Sequence, residues 1–178
     1  MFEHDELTHD QIRSKLEAAV TSGANWPAFQ PIVDIRSGAL AGFEVLACWT
    51  DPVHGEIGPS DFVPPIEAHG LTRILSRSLM QRACETAVSW PGAFFLAFNI
   101  TPDELVDTGL TTCIATIASN TGFPVERMEI EVTEGSIISE EAATHETLRT
   151  LNAMGIHVAL DDYGTGYSRL ARLEAFPF

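Results

Sequence analysis

Hydrophobic positions follow a helical period at the start of the chain and form short runs soon afterwards. In residues 8–23 the apolar side chains recur at helical spacing and predict a first helix. The apolar runs FQPIVDI (29–35) and FEVLACW (43–49) then flank the turn RSGALAG and predict two strands. Because this connection is short, the two strands are expected to form an antiparallel pair.

The remainder of the pattern alternates between predicted helices and strands. The Pro- and Gly-rich segment 51–60 predicts a loop, with Ser60 as the candidate cap of a helix whose start is restricted by Pro64 and Pro65. An amphipathic helix is predicted over 71–90. Strands are then predicted at 93–100, 127–133 and 156–162, with helical regions at 104–122 and 139–155 between them. This order is typical of parallel strands joined by right-handed crossovers.

The pattern contains no internal repeat, low-complexity tract or linker, so residues 1–178 are expected to form a single α/β domain. It predicts about five strands. A closed eight-stranded α/β barrel typically needs about 250 residues, whereas 178 residues are enough for a complete open, doubly wound sheet. Because the chain ends on the apolar stretch AFPF, we expect a domain that is truncated on its C-terminal side.

The charge of the chain restricts its partners. Ten Lys and Arg residues stand against 25 Asp and Glu residues, which gives a net charge of −15. This surplus argues against a broad nucleic-acid surface or an anionic membrane surface. It does not exclude a small anionic ligand, because a bound divalent cation inverts the local sign.

The cysteines and the N-terminus indicate a compartment. Cys48, Cys84 and Cys113 are scattered, and they form neither a disulfide framework nor a zinc pattern. A reduced, cytoplasmic setting is therefore the simplest expectation. The acidic start of the chain is not expected to act as a signal peptide, and no apolar run reaches the roughly 18 residues of a spanning helix. No membrane contact is expected from this segment.

Carboxylates and one carboxamide fall near the ends of the predicted strands. These residues are Glu44, the only charge in its strand, then Asn99, Glu131, Asp161 and Asp162. In α/β proteins the chemistry gathers at the carboxyl ends of parallel strands, so the five side chains are expected to lie together. Oxygen ligands of this kind suit Mg²⁺, Mn²⁺ or Ca²⁺. Adjacent aspartates match the two-metal hydrolysis of phosphodiesters.

Simpler interpretations remain open for each of these residues. Two aspartates before a glycine-containing turn are common in turns that have no function. Glu44 could pair with an arginine in the core. Asn99 could cap the helix that follows it. Glu131 and Glu134 could be solvated. In MEIEVT, strand alternation places Glu129, Glu131 and Thr133 on one face and Ile130 and Val132 on the other. Only the shared location of the residues favours a metal site.

Several motifs together resemble one family. FQPIVDIRSGALAGFEVLACW, GPSDFVPPIEAHGL, FNITPDEL, MEIEVTE and DDYGTGYSRL are similar to successive motifs of the EAL domain, the bacterial phosphodiesterase that linearises cyclic dimeric GMP (c-di-GMP). The resemblance runs from about Leu16 to Phe178. It leaves 1–15 as an N-terminal extension that includes the start of the first helix.

The resemblance implies a TIM-barrel-like fold whose first two strands are antiparallel, with the barrel incomplete in this chain. It implies that the five residues named above hold one or two Mg²⁺ or Mn²⁺ ions, which serve hydrolysis of c-di-GMP to linear pGpG. Gln30 and Leu46 match ligand-contacting positions. Glu134 matches the residue that anchors the aspartate loop, and Gly164 and Gly166 lie in that loop. The implied role is signal transduction through a bacterial second messenger.

Two departures from the family pattern bear on activity. Cys48 occupies the position of an arginine that contacts a ligand phosphate, and a thiol supplies neither a charge nor a bidentate donor. The catalytic lysine of the family has no counterpart, since no lysine follows Lys15. We therefore expect little or no turnover by these 178 residues alone. The alternative is a degenerate EAL module that senses c-di-GMP or acts as a signalling scaffold. A homodimer or a protein partner is expected to cover the open sheet edge.

Overall fold

One sheet with helices forms the framework of the described part of the chain. The computed structural model describes residues 9–22, 24–51, 55–133 and 142–161. The elements, in chain order, are α1 His9–Thr21, β1 Asn25–Val33, β2 Leu40–Asp51, β3 Gly55–Ile57, α2 Pro59–Ala68, α3 Thr72–Ala87, β4 Phe95–Asn99, α4 Pro102–Leu105, α5 Leu110–Thr121, β5 Met128–Thr133, α6 Ala142–Ala153 and β6 His157–Asp161.

The sheet has the strand order β1-β2-β4-β5-β6, and β3 pairs with β2 beside this path. Strands β4, β5 and β6 are parallel neighbours. Within the described residues the sheet has six strands and does not close into a barrel. The predicted α/β fold with an incomplete barrel is therefore confirmed, with one more strand than the pattern predicted.

A tight turn joins β1 to β2. The Asp34 N–H donates to the Ala39 carbonyl oxygen at 2.9 Å, which closes the hairpin. The Asp34 carboxylate accepts hydrogen bonds from the Ser37 hydroxyl and from the N–H groups of Ser37 and Arg36. The bond from the Ser37 hydroxyl, followed by the backbone bonds, lowers the pKa of Asp34 below its ordinary value. This turn gives the antiparallel hairpin that the short connection predicted.

The described residues divide into two compact units. One unit draws on Met1–Phe29 and Val45–Ala83. Its core includes Leu16 from α1 and Ile66 from α2, both almost fully buried. The Trp49 ring meets the Phe62 ring edge-on, with centroids 5.8 Å apart. This geometry is the one that aromatic pairs favour in apolar cores.

The other unit draws on Gln30–Glu44 and Cys84–Phe178. Helix α6 packs against β6, α4 and α5. The helices cover one face of β4 and β5, whose side chains are buried: Leu96, Phe98, Met128, Ile130 and Val132. Burial of this face fixes the register, because a slip of one residue would expose all of these side chains.

Arg127 fixes the start of β5 within this unit. Its Nε donates to the Phe94 carbonyl oxygen at 2.6 Å. Its guanidinium carbon lies 4.2 Å from the centre of the Phe94 ring and 5.0 Å from that of Phe123. Such cation–π contacts contribute about 0.5–2 kcal/mol each. They hold β5 beside the residue that precedes β4.

The segment 51–60 differs from its prediction as a loop. Gly55–Ile57 form β3, which pairs antiparallel with the end of β2. Helix α2 begins at Pro59, so the prediction of Ser60 as its cap is wrong, and Gly58 occupies the N-cap position. The physical reason is that proline at the first helical position needs no N–H partner and has a suitable φ. Pro64 and Pro65 lie inside the helix.

The predicted helical region 104–122 is divided in the structure into α4 and α5. Helix α5 is capped by Gly122, which adopts a left-handed φ of 73°.

Across the described residues, no helix is long and apolar enough to cross a membrane.

Candidate metal site

Strand β5 presents a polar face opposite its buried one. Glu129 and Glu131 are half-buried and Thr133 is exposed, whereas the residues between them are buried. This alternation is the one predicted from the sequence MEIEVT, and it is confirmed. The two carboxylates therefore project from the face of β5 opposite its buried side chains.

The parallel register brings two predicted ligands side by side. Asn99, the last residue of β4, is the register partner of Glu131 on β5. Neighbouring strands lie about 4.8 Å apart, so the two side chains start from adjacent positions on one face. Their proximity follows from the pairing and register of β4 and β5.

Glu44 joins this pair from β2. The Asn99 Nδ2 donates to the Glu44 Oε1 at 2.9 Å. The partner of Glu44 is therefore this amide and not a core arginine. Asn99 does not cap the following helix either, because the Glu104 carboxylate accepts hydrogen bonds from the N–H and the hydroxyl of Thr101 there. The hydrogen bond between Asn99 and Glu44 therefore decides the first alternative, an arginine partner for Glu44. The hydrogen bonds between Thr101 and Glu104 decide the second, a helix cap by Asn99.

Asp161 is the last residue of β6, the strand next to β5. It lies two residues further along the strand direction than Glu131. Its register partner is Thr133, whereas Glu131 pairs with Ala159. The Cα atoms of Asp161 and Glu131 are therefore about 8 Å apart, from strand spacing and rise. The structure describes the backbone of Asp161 but not its side chain. Asp162, Glu134, Gly164 and Gly166 lie outside the described residues, and their predicted roles stay predictions.

The donor set of the described ligands fits a hard divalent cation. Glu44 and Glu131 offer carboxylate oxygens, and Asn99 turns its NH₂ group towards Glu44, which leaves its amide oxygen for a cation. Within the part of the chain whose side chains are described, no three His, Cys, Asp or Glu side chains gather around one metal position. The predicted metal site includes the two aspartates in addition, whose side chains lie outside this part of the chain.

Glu129 and His157 form a second pair of titratable side chains, two residues before Glu131 and Ala159 on the same two strands. Glu129 and His157 are register partners, on the same face as Glu131. Burial raises the pKa of Glu129, and the neighbouring His157 partly opposes this shift. Sequence reasoning placed Glu129 on this face but did not pair it with His157, since that pairing depends on the β5–β6 register.

The predicted ligand-contacting residues have different surroundings. Gln30 is exposed on β1. On β2, Leu46 and Cys48 are partly buried and alternate with buried side chains. Burial, and secondly the Glu56 carboxylate, raise the pKa of the Cys48 thiol. Cys48 is therefore neutral at pH 7 and supplies no charge to an anionic ligand.

The order of these motifs along the fold matches a known family model. The EAL domain model matches residues 13–178. The chain belongs to the EAL domain family. Its match extends over the hairpin, the Asn99 strand, the Glu131 strand and β6, which are the elements that build the site.

Curated relatives of this EAL domain are longer proteins. An uncharacterized signaling protein of Caulobacter vibrioides is 36% identical over 84% of this chain and 18% of its own length. Uncharacterized proteins of Sinorhizobium fredii and Synechocystis are 32% and 33% identical, each over 98% of this chain, which corresponds to 21% and 26% of their lengths. The EAL domain thus spans about a quarter or less of these relatives.

Solved structures share the fold. The PaMucR phosphodiesterase in complex with c-di-GMP has a TM-score of 0.84 and 27% identity, over 94% of this chain and 69% of that one. An EAL domain protein from Listeria monocytogenes has a TM-score of 0.72 and 25% identity, over 97% of this chain and 67% of that one. The FimX EAL domain from Pseudomonas aeruginosa bound to c-di-GMP, at 18% identity and a TM-score of 0.82, supports the fold alone; it aligns over 93% of this chain and 67% of that one.

Proposed function

We propose that this EAL domain binds c-di-GMP through one or two Mg²⁺ or Mn²⁺ ions held by Glu44, Asn99, Glu131, Asp161 and Asp162. One observation carries the proposal. The Asn99 amide on β4 donates to Glu44 on β2 at 2.9 Å, and Asn99 is in register with Glu131 on β5, so three strands place these residues side by side. The similarity to the PaMucR phosphodiesterase supports c-di-GMP as the ligand.

The residues of this chain prepare the site for cations. The Asn99 NH₂ group holds one oxygen of Glu44 in place, so this carboxylate is oriented before any cation arrives. Two carboxylates facing one region repel each other unless a cation compensates them. A bound Mg²⁺ or Mn²⁺ would supply a Lewis acid that neutralises the phosphodiester and lowers the pKa of water. The large negative charge of the chain makes such compensation necessary for an anionic ligand.

We further propose that these 178 residues alone hydrolyse c-di-GMP slowly or not at all. No lysine follows Lys15, so the catalytic lysine implied by the family has no counterpart in them. Cys48, with its raised pKa, replaces the arginine that would contact a ligand phosphate. The loss of a hydrogen bond to a charged group weakens binding by about 1.5–3 kcal/mol.

The second candidate is a c-di-GMP sensor or a signalling scaffold. The neutral Cys48 favours it, because it removes a phosphate contact and leaves the metal ligands intact. Among the described strands, β6 pairs only with β5. A homodimer or a protein partner along this edge is part of the same proposal.

Two readouts test the proposed function. Mn²⁺ binding is followed by electron paramagnetic resonance, and the linear product of c-di-GMP is followed by chromatography. We expect Mn²⁺ binding that weakens at least tenfold in Glu44→Gln and Asn99→Ala, and no product at enzymatic rates. Glu146→Gln is the matched control, since Glu146 is exposed on α6. Binding that is equal in all four proteins contradicts the site, and steady product formation contradicts the proposed inactivity.

A further inference from the structure

We propose that Gly42 and Phe95 are positioning residues, which set the approach of β2 to β4 at which Glu44 and Asn99 meet. The effect on metal binding rests on the proposed function. The effect on the hydrogen bond between Glu44 and Asn99 does not.

The Phe95 ring occupies the space where a side chain at position 42 would lie. A Cβ atom built on Gly42 would be 2.7 Å from each of three Phe95 ring atoms, Cγ, Cδ2 and Cε2. Carbon atoms in contact lie about 3.5–4.0 Å apart, so any side chain at this position requires a shift of about 1 Å. Rotation of the ring about its own axis does not relieve the clash, because Cγ lies on that axis.

This close approach lies on the same face as the candidate site. Gly42 and Glu44 are two residues apart on β2, and Phe95 and Asn99 are four residues apart on β4, so each pair shares a face of its strand. Both strands run from the glycine–phenylalanine contact towards the Glu44–Asn99 hydrogen bond. The Phe95 ring therefore lies on the same face of the sheet as Glu44 and Asn99, and it comes before both residues along the strand direction.

The hydrogen bond tolerates less movement than the clash demands. The Asn99 Nδ2 and the Glu44 Oε1 are 2.9 Å apart, and such bonds are lost beyond about 3.5 Å. About 0.6 Å of separation breaks the bond, whereas a methyl group on position 42 requires about 1 Å. A shift of this size between β2 and β4 would break the bond, which links the glycine at position 42 to the geometry of Glu44.

The test uses Gly42→Ala, Phe95→Leu and the double variant Gly42→Ala/Phe95→Leu. The smaller leucine leaves room for the new methyl group, so the double variant is the rescue. Gly58→Ala is the matched glycine control, because nothing lies within 4 Å of its added Cβ and its φ is −75°.

The first readout is the side-chain amide resonance of Asn99 in metal-free protein, assigned through its loss in Asn99→Ala. We expect this resonance to move towards the value of a free amide in Gly42→Ala and to return in the double variant. The second readout is Mn²⁺ affinity, which we expect to fall at least tenfold in Gly42→Ala and to recover within threefold in the double variant. Gly58→Ala should leave both unchanged.

A folded Gly42→Ala protein that keeps the wild-type Asn99 resonance overturns the proposal. If Gly42→Ala does not fold, Phe95→Ala decides, since removal of the ring should loosen the same hydrogen bond; an unchanged resonance there overturns the proposal as well. If the wild type binds no Mn²⁺, the proposed function fails, and the metal-free resonance still tests the positioning role.

Discussion

Glu104 gives the sharpest test of how the end of β4 is held. This side chain is 3% exposed, and its Oε2 accepts hydrogen bonds from the Thr101 N–H at 3.1 Å and the Thr101 hydroxyl at 2.9 Å. Both bonds lie two residues beyond Asn99, at the start of α4. Glu104→Ala removes the acceptor and leaves the Thr101 N–H at the helix start without its partner.

The expected cost follows from these two bonds. Hydrogen bonds to a charged group contribute about 1.5–3 kcal/mol each, which gives about 3–6 kcal/mol for the pair. The mutation also removes a buried carboxylate whose desolvation costs several kcal/mol, so the two effects partly cancel. The net loss should lie at the upper end of the range for helix caps, at about 2 kcal/mol. For a protein of this size that corresponds to a fall in Tm of about 4–8 °C.

The assay is urea unfolding followed by circular dichroism, with linear extrapolation to water. Glu104→Gln keeps an oxygen acceptor and should lose about 1 kcal/mol, the value of a neutral hydrogen bond. Glu146→Ala, an exposed change on α6, should stay within about 0.5 kcal/mol of the wild type. A Glu104→Ala protein as stable as the Glu146→Ala control would refute the reasoning.

Three further predictions concern a helix end, a thiol and a carboxyl. Gly122→Ala should lose at least about 1 kcal/mol of unfolding free energy in the same assay, because φ is 73° there; no loss would contradict the left-handed cap. Burial raises the pKa of Cys84 to about 12, so iodoacetamide at pH 8 should modify Cys48 before Cys84, as followed by peptide mass spectrometry; faster labelling of Cys84 would contradict its burial. Burial raises the pKa of the Glu129 carboxyl above 4.5, so the folded state binds the carboxyl proton more tightly than the unfolded state. Ionisation of Glu129 therefore lowers the stability of the fold as the pH rises through the folded pKa. Glu129→Gln in metal-free buffer should therefore gain stability over the wild type as the pH rises above 4.5, and a pH-independent difference would contradict the shift.

The sequence predicted those features of the candidate site that depend on a single strand. The alternation of Glu129 and Glu131 with Ile130 and Val132 required only the period of a strand, and the structure confirms it. The turn after Asp34 likewise follows from neighbouring residues. The positions of Glu44 and Asn99 near strand ends predicted that they lie together, although 55 positions separate them.

Features that depend on distant partners were not predictable in this way. The contact between Gly42 and Phe95 requires knowledge of which strands are neighbours and of their register. Asn99 was a plausible helix cap by type, but its amide binds Glu44, and the role at the helix start falls to Glu104. Helix α2 contains two prolines that local rules place near a helix start, and the start is already occupied by Pro59.

The central claim is that Glu44, Asn99 and their neighbours bind c-di-GMP through a divalent cation. Isothermal titration of c-di-GMP into the 178-residue chain, with Mn²⁺ and then with excess EDTA, tests it most directly. We expect binding that requires Mn²⁺ and is lost in Asn99→Ala. Equal binding in EDTA, or no binding in either buffer, would contradict it.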